Sequence, residues 1–397
     1  MSRPALVLLA AILVSRFSSL ALGEEAPPPS PNVHLRGNLS HCRLRFEREK
    51  KGHVAFIGGS ITEMKGYRPL VCDILKKRFP ETAFTCTDAG IASTCSTTGA
   101  FRLQSDVLSQ GPVDLFFVEF AVNDDQDAGH ARRECIRGME GIVRQALRHN
   151  PNMDIVITHF INPEMLATLR AGKTPLTAGA HEEVAEHYGV STIDLAKEVA
   201  EQIAAGRLTW EKFGGTHPGP AGNAICAGMI DQLMSRAWSA PIPATAAAAA
   251  PVPDPLDPLS YANGRFIDPK QAAIVRGWTL GVPDWKNLAG GKRSRFTTMA
   301  MLWADQPGAE VKLDFTGTAV GAYVVAGPDA GVLEARIDGG PPIEVNLFHH
   351  FSSGLHYPRT VMFANDLKPG PHVVVLRVAD QTLGRGHAAR IMEFVAN

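Results

Sequence analysis

The first half of the chain alternates short apolar runs with longer segments in which apolar residues recur every three to four positions. The short runs predict buried strands, and the first of them, Val54-Ala55-Phe56-Ile57, stops at Gly58 and Gly59. Further strands are predicted at 83–87, 115–120, 154–159 and 190–195, and helices at 68–79, 131–149, 177–187 and 219–238. Strands that alternate with helices of this length indicate an α/β domain with a doubly wound parallel sheet.

The second half of the chain has a different pattern. Residues 240–258 are rich in Ala and Pro and lack apolar periodicity, which is typical of an interdomain linker. Beyond them, apolar and polar residues alternate at 311–315, 322–325, 332–337 and 373–378. Short strands at this spacing predict an all-β sandwich of the jelly-roll type at 259–397, which leaves 52–239 for the α/β domain.

The N-terminus predicts export. Arg3 precedes an apolar run at 5–14 and small residues follow it, so residues 1–23 are interpreted as a signal peptide and 24–51 as a short N-terminal lead. The apolar run is too short to span a membrane. We therefore expect a periplasmic or extracellular protein with no membrane span. The sequence does not predict its oligomeric state.

Charge and cysteine content narrow the function further. A formal net charge of -1 gives no electrostatic basis for binding nucleic acid. Six cysteines in an exported chain permit disulfides, with a connectivity that the sequence does not define. Cys72 and Cys226 fall in helical patterns and are predicted to be buried thiols.

Chemically useful side chains follow three of the predicted strands and precede the last helix. Ser60 comes after Gly58-Gly59, Asp88-Ala89-Gly90 ends the second strand, Asn123 follows the third, and His217 precedes the helix at 219–238. The carboxyl ends of parallel strands meet at one edge of a sheet, where open α/β folds bind their ligands. A serine hydroxyl attacks an ester when a histidine removes its proton, so Ser60 and His217 are candidate catalytic residues.

This ordered set resembles the SGNH (GDSL-type) hydrolase superfamily over about 52–238. The resemblance implies a flavodoxin-like, three-layer α/β/α fold and Ser60 as the nucleophile with His217 as its base. It also implies an oxyanion hole made by the amides of Ser60 and Gly90 and the side chain of Asn123. The form Gly-Gly-Ser-Ile-Thr resembles the branch that removes acyl groups from polysaccharides, in which β-sandwich modules accompany the catalytic domain.

The sequence departs from the family pattern at three positions. Gly59 stands in place of the Asp of Gly-Asp-Ser, Ala121 in place of a glycine, and Gly214 in place of the Asp that usually orients the histidine. Three interpretations of the last change remain open at this point. A backbone carbonyl orients His217, a carboxylate such as Glu211 substitutes for the Asp, or the site is inactive.

Two further clusters have competing interpretations. Asp124, Asp125 and Asp127 could form a calcium site, but a solvated loop or helix caps explain them more simply. The segments 348–351 and 356–359 hold histidines and aromatic rings that could bind a metal or stack on a glycan, or could simply lie at the domain interface. We predict no metal and no organic cofactor.

The function predicted from the sequence is an exported serine esterase that removes small acyl groups, O-acetyl above all, from a carbohydrate. The substrate partner is thus an acylated carbohydrate or another small ester. The alternatives are a non-catalytic glycan-binding protein on an eroded esterase fold, and a lipase or acyltransferase of the same superfamily.

Overall fold

The computed structural model describes residues 29–242, 244–245, 248–382 and 386–397. The predicted signal peptide at 1–23 lies outside these residues. Within the described part of the chain, no helix is both long enough and apolar enough to cross a membrane.

A six-stranded sheet forms the centre of the first domain. Its strands are β1 Val33–His34, β2 Lys51–Gly58, β3 Ala83–Gly90, β4 Leu115–Glu119, β5 Asp154–Thr158 and β6 Ser191–Ile193, in the order β1-β6-β5-β4-β2-β3. Strands β2 to β6 are parallel, as predicted. The edge strand β1 pairs with β6 in the antiparallel sense, so the described part of the N-terminal lead is folded onto this domain.

Helices cover both faces of the sheet. They are α1 Ser40–Leu44, α2 Ser60–Glu63, α3 Tyr67–Arg78, α4 Ser96–Asp106, α5 Arg132–His149, α6 Pro163–Arg170, α7 Leu176–Tyr188, α8 Leu195–Ala204, α9 Trp210–Phe213 and α10 Pro220–Ala237. Adjacent residues of a strand point to opposite faces, so Phe117 packs with residues of α3, α8 and α10 whereas Phe116 packs with residues of α4, α5 and α7. This is the expected three-layer arrangement.

The second domain consists of two antiparallel sheets. One contains β7 Arg265–Ile267, β9 Thr279–Gly281, β10 Met301–Ala304, β12 Val320–Ala326, β15 Tyr357–Ala364 and β17 Ala389–Ala396, and the other contains β8 Ala273–Arg276, β11 Glu310–Gly317, β13 Val332–Ile337, β14 Ile343–Asn346 and β16 Gly370–Val378. Alternate residues of β11, namely Val311, Leu313 and Phe315, are buried between the sheets, as the pattern at 311–315 predicts. A short helix, α11 Ser294–Thr297, interrupts the strands.

The two domains share a hydrophobic core. Tyr323 and Met392 of the sandwich belong to the same buried cluster as Phe101 and Ile142 of the α/β domain. The described residues of the predicted linker form no helix or strand. The end of the segment is nevertheless fastened, because the Glu140 carboxylate accepts the backbone N–H groups of 256 and 257 at 2.6 and 3.0 Å.

One cysteine prediction is wrong. Cys72 is not a free thiol but forms a disulfide with Cys86, which joins α3 to β3. Residue 72 lies on the helical face that packs near β3, and the helical pattern alone does not reveal that strand as its neighbour. Cys42, Cys95, Cys135 and Cys226 are free and buried, so the prediction for Cys226 is confirmed.

Candidate active site

The turn after β2 presents Ser60 at the start of α2. This turn needs glycines, because a Cβ on Gly58 would lie 2.2 Å from Thr62 Oγ1 and one on Gly90 would lie 2.3 Å from the Glu63 nitrogen. The helix α2 therefore sits directly on the ends of β2 and β3. The side chain of Ser60 is half-buried at this edge of the sheet.

His217 lies within hydrogen-bond distance of Ser60. Its Nε2 lies 2.8 Å from Ser60 Oγ, the geometry that a nucleophile and its base require. The loop that carries it is closed by a hydrogen bond from the Gly219 N–H to the Phe213 carbonyl at 2.8 Å. The imidazole itself is exposed to solvent. The structure thus brings together two residues that are 157 positions apart in the sequence.

The loop geometry explains why no aspartate stands at position 214. Gly214 has a φ of 105°, and a Cβ there would lie 1.9 Å from the Gly219 nitrogen. An aspartate at this position would therefore break the loop. Among the described residues no carboxylate or carbonyl accepts a hydrogen bond from His217 Nδ1, and Glu211 is exposed to solvent. Neither of the two groups suggested by the sequence is in contact with the imidazole here.

Asn123 lies in a π-helical turn, Asn123–Asp127, that follows β4. Its side chain is 2% exposed, and its Nδ2 donates to Asp127 Oδ2 at 2.8 Å. A Cβ on Gly59 would lie 2.0 Å from Asn123 Oδ1, so the glycine that replaces the family aspartate makes room for this amide. The second N–H of Nδ2 remains available to a ligand.

The other two predicted oxyanion donors, the backbone N–H groups of Ser60 and Gly90, differ in whether another group already accepts their hydrogen bond. The Ser60 N–H is the first of α2, and an N–H at a helix N-terminus has no partner within the helix. The Gly90 N–H, in contrast, donates to Asp88 Oδ1 at 2.9 Å. Burial raises the pKa of Asp88, and its other oxygen accepts from Arg68 at 2.5 Å. The Gly90 amide can therefore bind an oxyanion only if the Asp88 side chain turns away.

The three aspartates that could have suggested calcium face different partners. Asp124 is buried and accepts hydrogen bonds from the backbone and hydroxyl of Ser96 and from His181. Asp125 accepts from Asn162 at 2.7 Å, and Asp127 accepts from Asn123. Among the described residues these three carboxylates are not grouped closely enough to ligate one ion, so they do not converge as calcium ligands do.

Asp124 also lies near histidine and cysteine side chains. It falls within 4.8 Å of two pairs of potential metal ligands, Cys95 with His130 and Cys135 with His181. Its own oxygens are already used by Ser96 and His181, however, which leaves the carboxylate poorly suited to a metal. His130 and His181 favour the charged form of Asp124 and hold its pKa well below the usual range despite burial.

Sequence reasoning missed one ionisable residue behind the nucleophile. Glu119, the last residue of β4, is fully buried and accepts a hydrogen bond from Thr62 Oγ1 at 3.2 Å. Burial raises its pKa to about 8, although hydrogen bonds from Thr62 and Gly59 act in the opposite direction. The carboxyl group is therefore protonated at neutral pH. The signal for it was a single charge at the end of the apolar run 115–120.

The α/β domain matches a known family. Residues 56–225, which include the serine, the asparagine and the histidine of the site, match the family model of the GDSL-like lipase/acylhydrolases. The protein is therefore a hydrolase that acts on ester bonds. More narrowly, its α/β domain is similar to those of the GDSL-like lipase/acylhydrolases, whose family model covers less than half of the chain.

The two-domain architecture also has a counterpart among solved structures. A two-domain esterase active on acetylated mannans, crystallised with mannopentaose, has a TM-score of 0.73 and 20% identity, over 92% of this chain and 96% of that one. The acetylxylan esterase Axe2 from Geobacillus stearothermophilus aligns with a TM-score of 0.37 and 19% identity, over 46% of this chain and 94% of its own. No curated protein matches the chain significantly.

Proposed function

We propose that this protein is an exported serine esterase that removes O-acetyl groups from a carbohydrate. The observation that carries the proposal is the 2.8 Å approach of His217 Nε2 to Ser60 Oγ in a GDSL-like domain. Support for a carbohydrate substrate comes from the Gly-Gly-Ser-Ile-Thr sequence and from the fold shared with the esterase active on acetylated mannans. Export is proposed from the sequence of residues 1–23.

The proposed reaction has two halves. Ser60 Oγ attacks the acetyl carbonyl carbon while His217 Nε2 takes the hydroxyl proton. The tetrahedral intermediate collapses, the proton passes from His217 to the departing sugar oxygen, and an acetyl-serine remains. Water then attacks this ester by the same route and releases acetate. These steps require no metal or organic cofactor.

The oxyanion of each intermediate needs preorganised donors. The Ser60 N–H and the free N–H of Asn123 are the proposed donors, and the Gly90 N–H joins them once its bond to Asp88 is exchanged. Removing one such donor typically lowers turnover ~10²–10³-fold. The imidazolium formed during attack would be stabilised by solvent, since His217 is exposed and has no carboxylate partner among the described residues.

A cavity beside the site could receive the rest of the substrate. It has a volume of about 530 Å³ and is lined by Asp88 and Gly90 of the α/β domain and by Phe266 and Arg295 of the sandwich. The Arg295 guanidinium donates to the Gly90 carbonyl at 3.2 Å, so the sandwich borders the oxyanion side of the site.

The proposal is tested by hydrolysis of p-nitrophenyl acetate, butyrate and decanoate, followed by acetate release from acetylated mannan and xylan. We expect a preference for acetate and a loss of at least about 10³-fold in both Ser60→Ala and His217→Ala. The double variant should lose little more, because nucleophile and base act as a unit. Retention of full activity in Ser60→Ala would sink the assignment.

The same assays separate the alternatives. Preference for decanoate would favour a lipase, and acetyl transfer to an added acceptor sugar in place of hydrolysis would favour an acyltransferase. Binding of an acetylated glycan without any turnover would favour the non-catalytic glycan-binding protein.

A further inference from the structure

One residue of the α/β domain connects Asn123 to the β-sandwich. The Asp127 carboxylate accepts from Asn123 Nδ2 at 2.8 Å through Oδ2 and from the Tyr357 hydroxyl at 2.6 Å through Oδ1. Its backbone carbonyl accepts from His349 Nε2 at 2.8 Å. Tyr357 and His349 belong to the second domain, so two hydrogen bonds join the sandwich to Asp127, and a third joins Asp127 to the side chain that is proposed to bind the oxyanion.

The sandwich end of this connection is held firmly. Tyr357 is the first residue of β15, pairs with Ala326 of β12 and is 2% exposed. The His349 ring stacks on the Tyr357 ring with a centroid distance of 4.5 Å and an interplanar angle of 12°. Strand pairing, burial and ring stacking therefore hold both rings with their donors directed at Asp127.

Protonation supports the same arrangement. Burial, together with Arg359 and His350, lowers the pKa of His349 to about 4, so its imidazole is neutral at neutral pH. Burial and the nearby Asp127 charge raise the pKa of Tyr357, so its hydroxyl keeps the proton that it donates. The His349 imidazole and the Tyr357 hydroxyl therefore both remain neutral hydrogen-bond donors to Asp127 at neutral pH.

Asp127 determines which way the Asn123 amide faces. An ionised carboxylate accepts hydrogen bonds and cannot donate, so the nitrogen of the amide must face Asp127 and the oxygen must face Gly59. Asn123 Oδ1 is buried and has no hydrogen-bond partner among the described residues, so no other contact fixes the amide. A rotated amide would present its oxygen to the oxyanion, where it would repel the developing charge.

We propose that the β-sandwich positions the oxyanion donor Asn123, with Tyr357 as the positioning residue that acts through Asp127. The proposal rests on the proposed esterase function. It gives the second domain a part in turnover that is separate from carbohydrate binding. Tyr357 itself does not touch the reacting atoms.

The first test replaces Tyr357 by Phe, which keeps the ring and removes the donor. On p-nitrophenyl acetate we expect kcat to fall about tenfold with KM nearly unchanged, since the contact acts on the transition state. Tyr261→Phe is the matched control, because it removes a buried hydroxyl of the same domain whose 3.2 Å hydrogen bond goes to Asn365 and does not lead to Asn123. Thr360→Val is a second control, since it removes a 2.9 Å interdomain hydrogen bond to Thr98 that does not lead to Asn123.

A double-mutant cycle separates positioning from a general loss of stability. If Tyr357 acts through Asn123, adding Tyr357→Phe to Asn123→Ala should lower kcat by less than about twofold. A merely structural role would give the same tenfold loss in both backgrounds. Asp127→Ala is the second variant should Tyr357→Phe not fold. It removes the carboxylate that accepts from both Asn123 and Tyr357, so we expect a loss close to that of Asn123→Ala.

The outcomes distinguish this proposal from the proposed function. Suppose that wild-type activity depends on Ser60. An unchanged kcat in folded Tyr357→Phe would then overturn only the positioning role, and so would full additivity of the two substitutions in the double-mutant cycle. The absence of any Ser60-dependent hydrolysis in the wild type would instead overturn the esterase assignment, and the positioning role with it.

Discussion

The two halves of the proposed catalytic pair are held very differently. Ser60 lies on a turn that is locked between the ends of β2, β3 and β4, where added Cβ atoms at Gly58 or Gly90 would meet neighbours at less than 2.5 Å. His217 lies on an exposed loop with two glycines of positive φ, and its imidazole has Ser60 as its only hydrogen-bond partner among the described residues.

The serine turn is thus rigid, whereas one hydrogen bond among the described residues holds the His217 imidazole. Donors that must meet a transient oxyanion within a few tenths of an ångström benefit from fixed backbone and buried partners. A base that stays in contact with its nucleophile can be held by that contact alone. We therefore expect small geometric changes on the Ser60 side to be costly and charge changes near His217 to be mild.

Among changes that leave Ser60 and His217 themselves in place, the largest effect should come from Gly59→Ala. The new Cβ would lie 2.0 Å from Asn123 Oδ1, so the asparagine would have to leave its position. We expect kcat on p-nitrophenyl acetate to fall ~10²-fold or more, as for the loss of an oxyanion donor. Gly228→Ala is the control, because a Cβ at that position in α10 meets nothing within 4 Å. Equal activity in the two variants would show that the serine side tolerates displacement.

The next largest effect concerns Glu119, which lies behind Ser60, and the pH dependence of the free energy of unfolding. The folded-state pKa of Glu119, about 8, lies above its ordinary value of 4.5, so the folded protein binds a proton that the unfolded chain releases. The stability that this group contributes is complete below pH 4.5 and is lost as the pH rises towards 8. We expect Glu119→Gln to remove this loss, and the stability gap between variant and wild type to grow by up to about 1.4 kcal/mol per pH unit.

Urea unfolding of wild type and Glu119→Gln at pH 5, 6, 7, 8 and 9 measures the effect. The glutamine keeps the shape and the acceptor that Thr62 uses, so activity near pH 6 should change by only a few-fold. Parallel stability curves across this range would show that Glu119 is ionised already at low pH.

The serine side was also the easier one to predict from the sequence. Buried parallel strands appear as continuous apolar runs, so β4 and the residues that follow it were predicted. The helix α4 was missed because its first turn is Ser96-Thr97-Thr98-Gly99, small residues that are buried by close packing. A Cβ on Gly99 would lie 2.6 Å from the Phe120 ring, so this surface has no apolar periodicity to detect.

The connection between the domains could not be predicted from the sequence. Asp127 and Tyr357 are 230 positions apart, and neither belongs to the motif set. Sequence reasoning placed the histidines near 349 and 356 at an interface or a ligand site without identifying what they face. His349 donates to the Asp127 carbonyl in the turn after β4, whereas His356 donates to the Ala289 carbonyl of its own domain.

The smallest effect should come from Glu211→Gln on the histidine side. Glu211 is exposed and makes no contact with His217 in the described structure, and the loop geometry at Gly214 excludes a carboxylate at the family position. If solvent alone supports the imidazolium, the substitution should change kcat/KM by less than about tenfold, which corresponds to ~1.4 kcal/mol in the barrier. Glu164 is another exposed glutamate, so Glu164→Gln serves as the control for loss of a surface charge.

If the Glu211 side chain instead moves to contact the imidazolium, the loss should reach several hundredfold with an unchanged melting temperature, because the charge that forms during attack would lose its partner. That outcome would reverse the comparison, since it would make the histidine loop as dependent on one specific contact as the serine turn is.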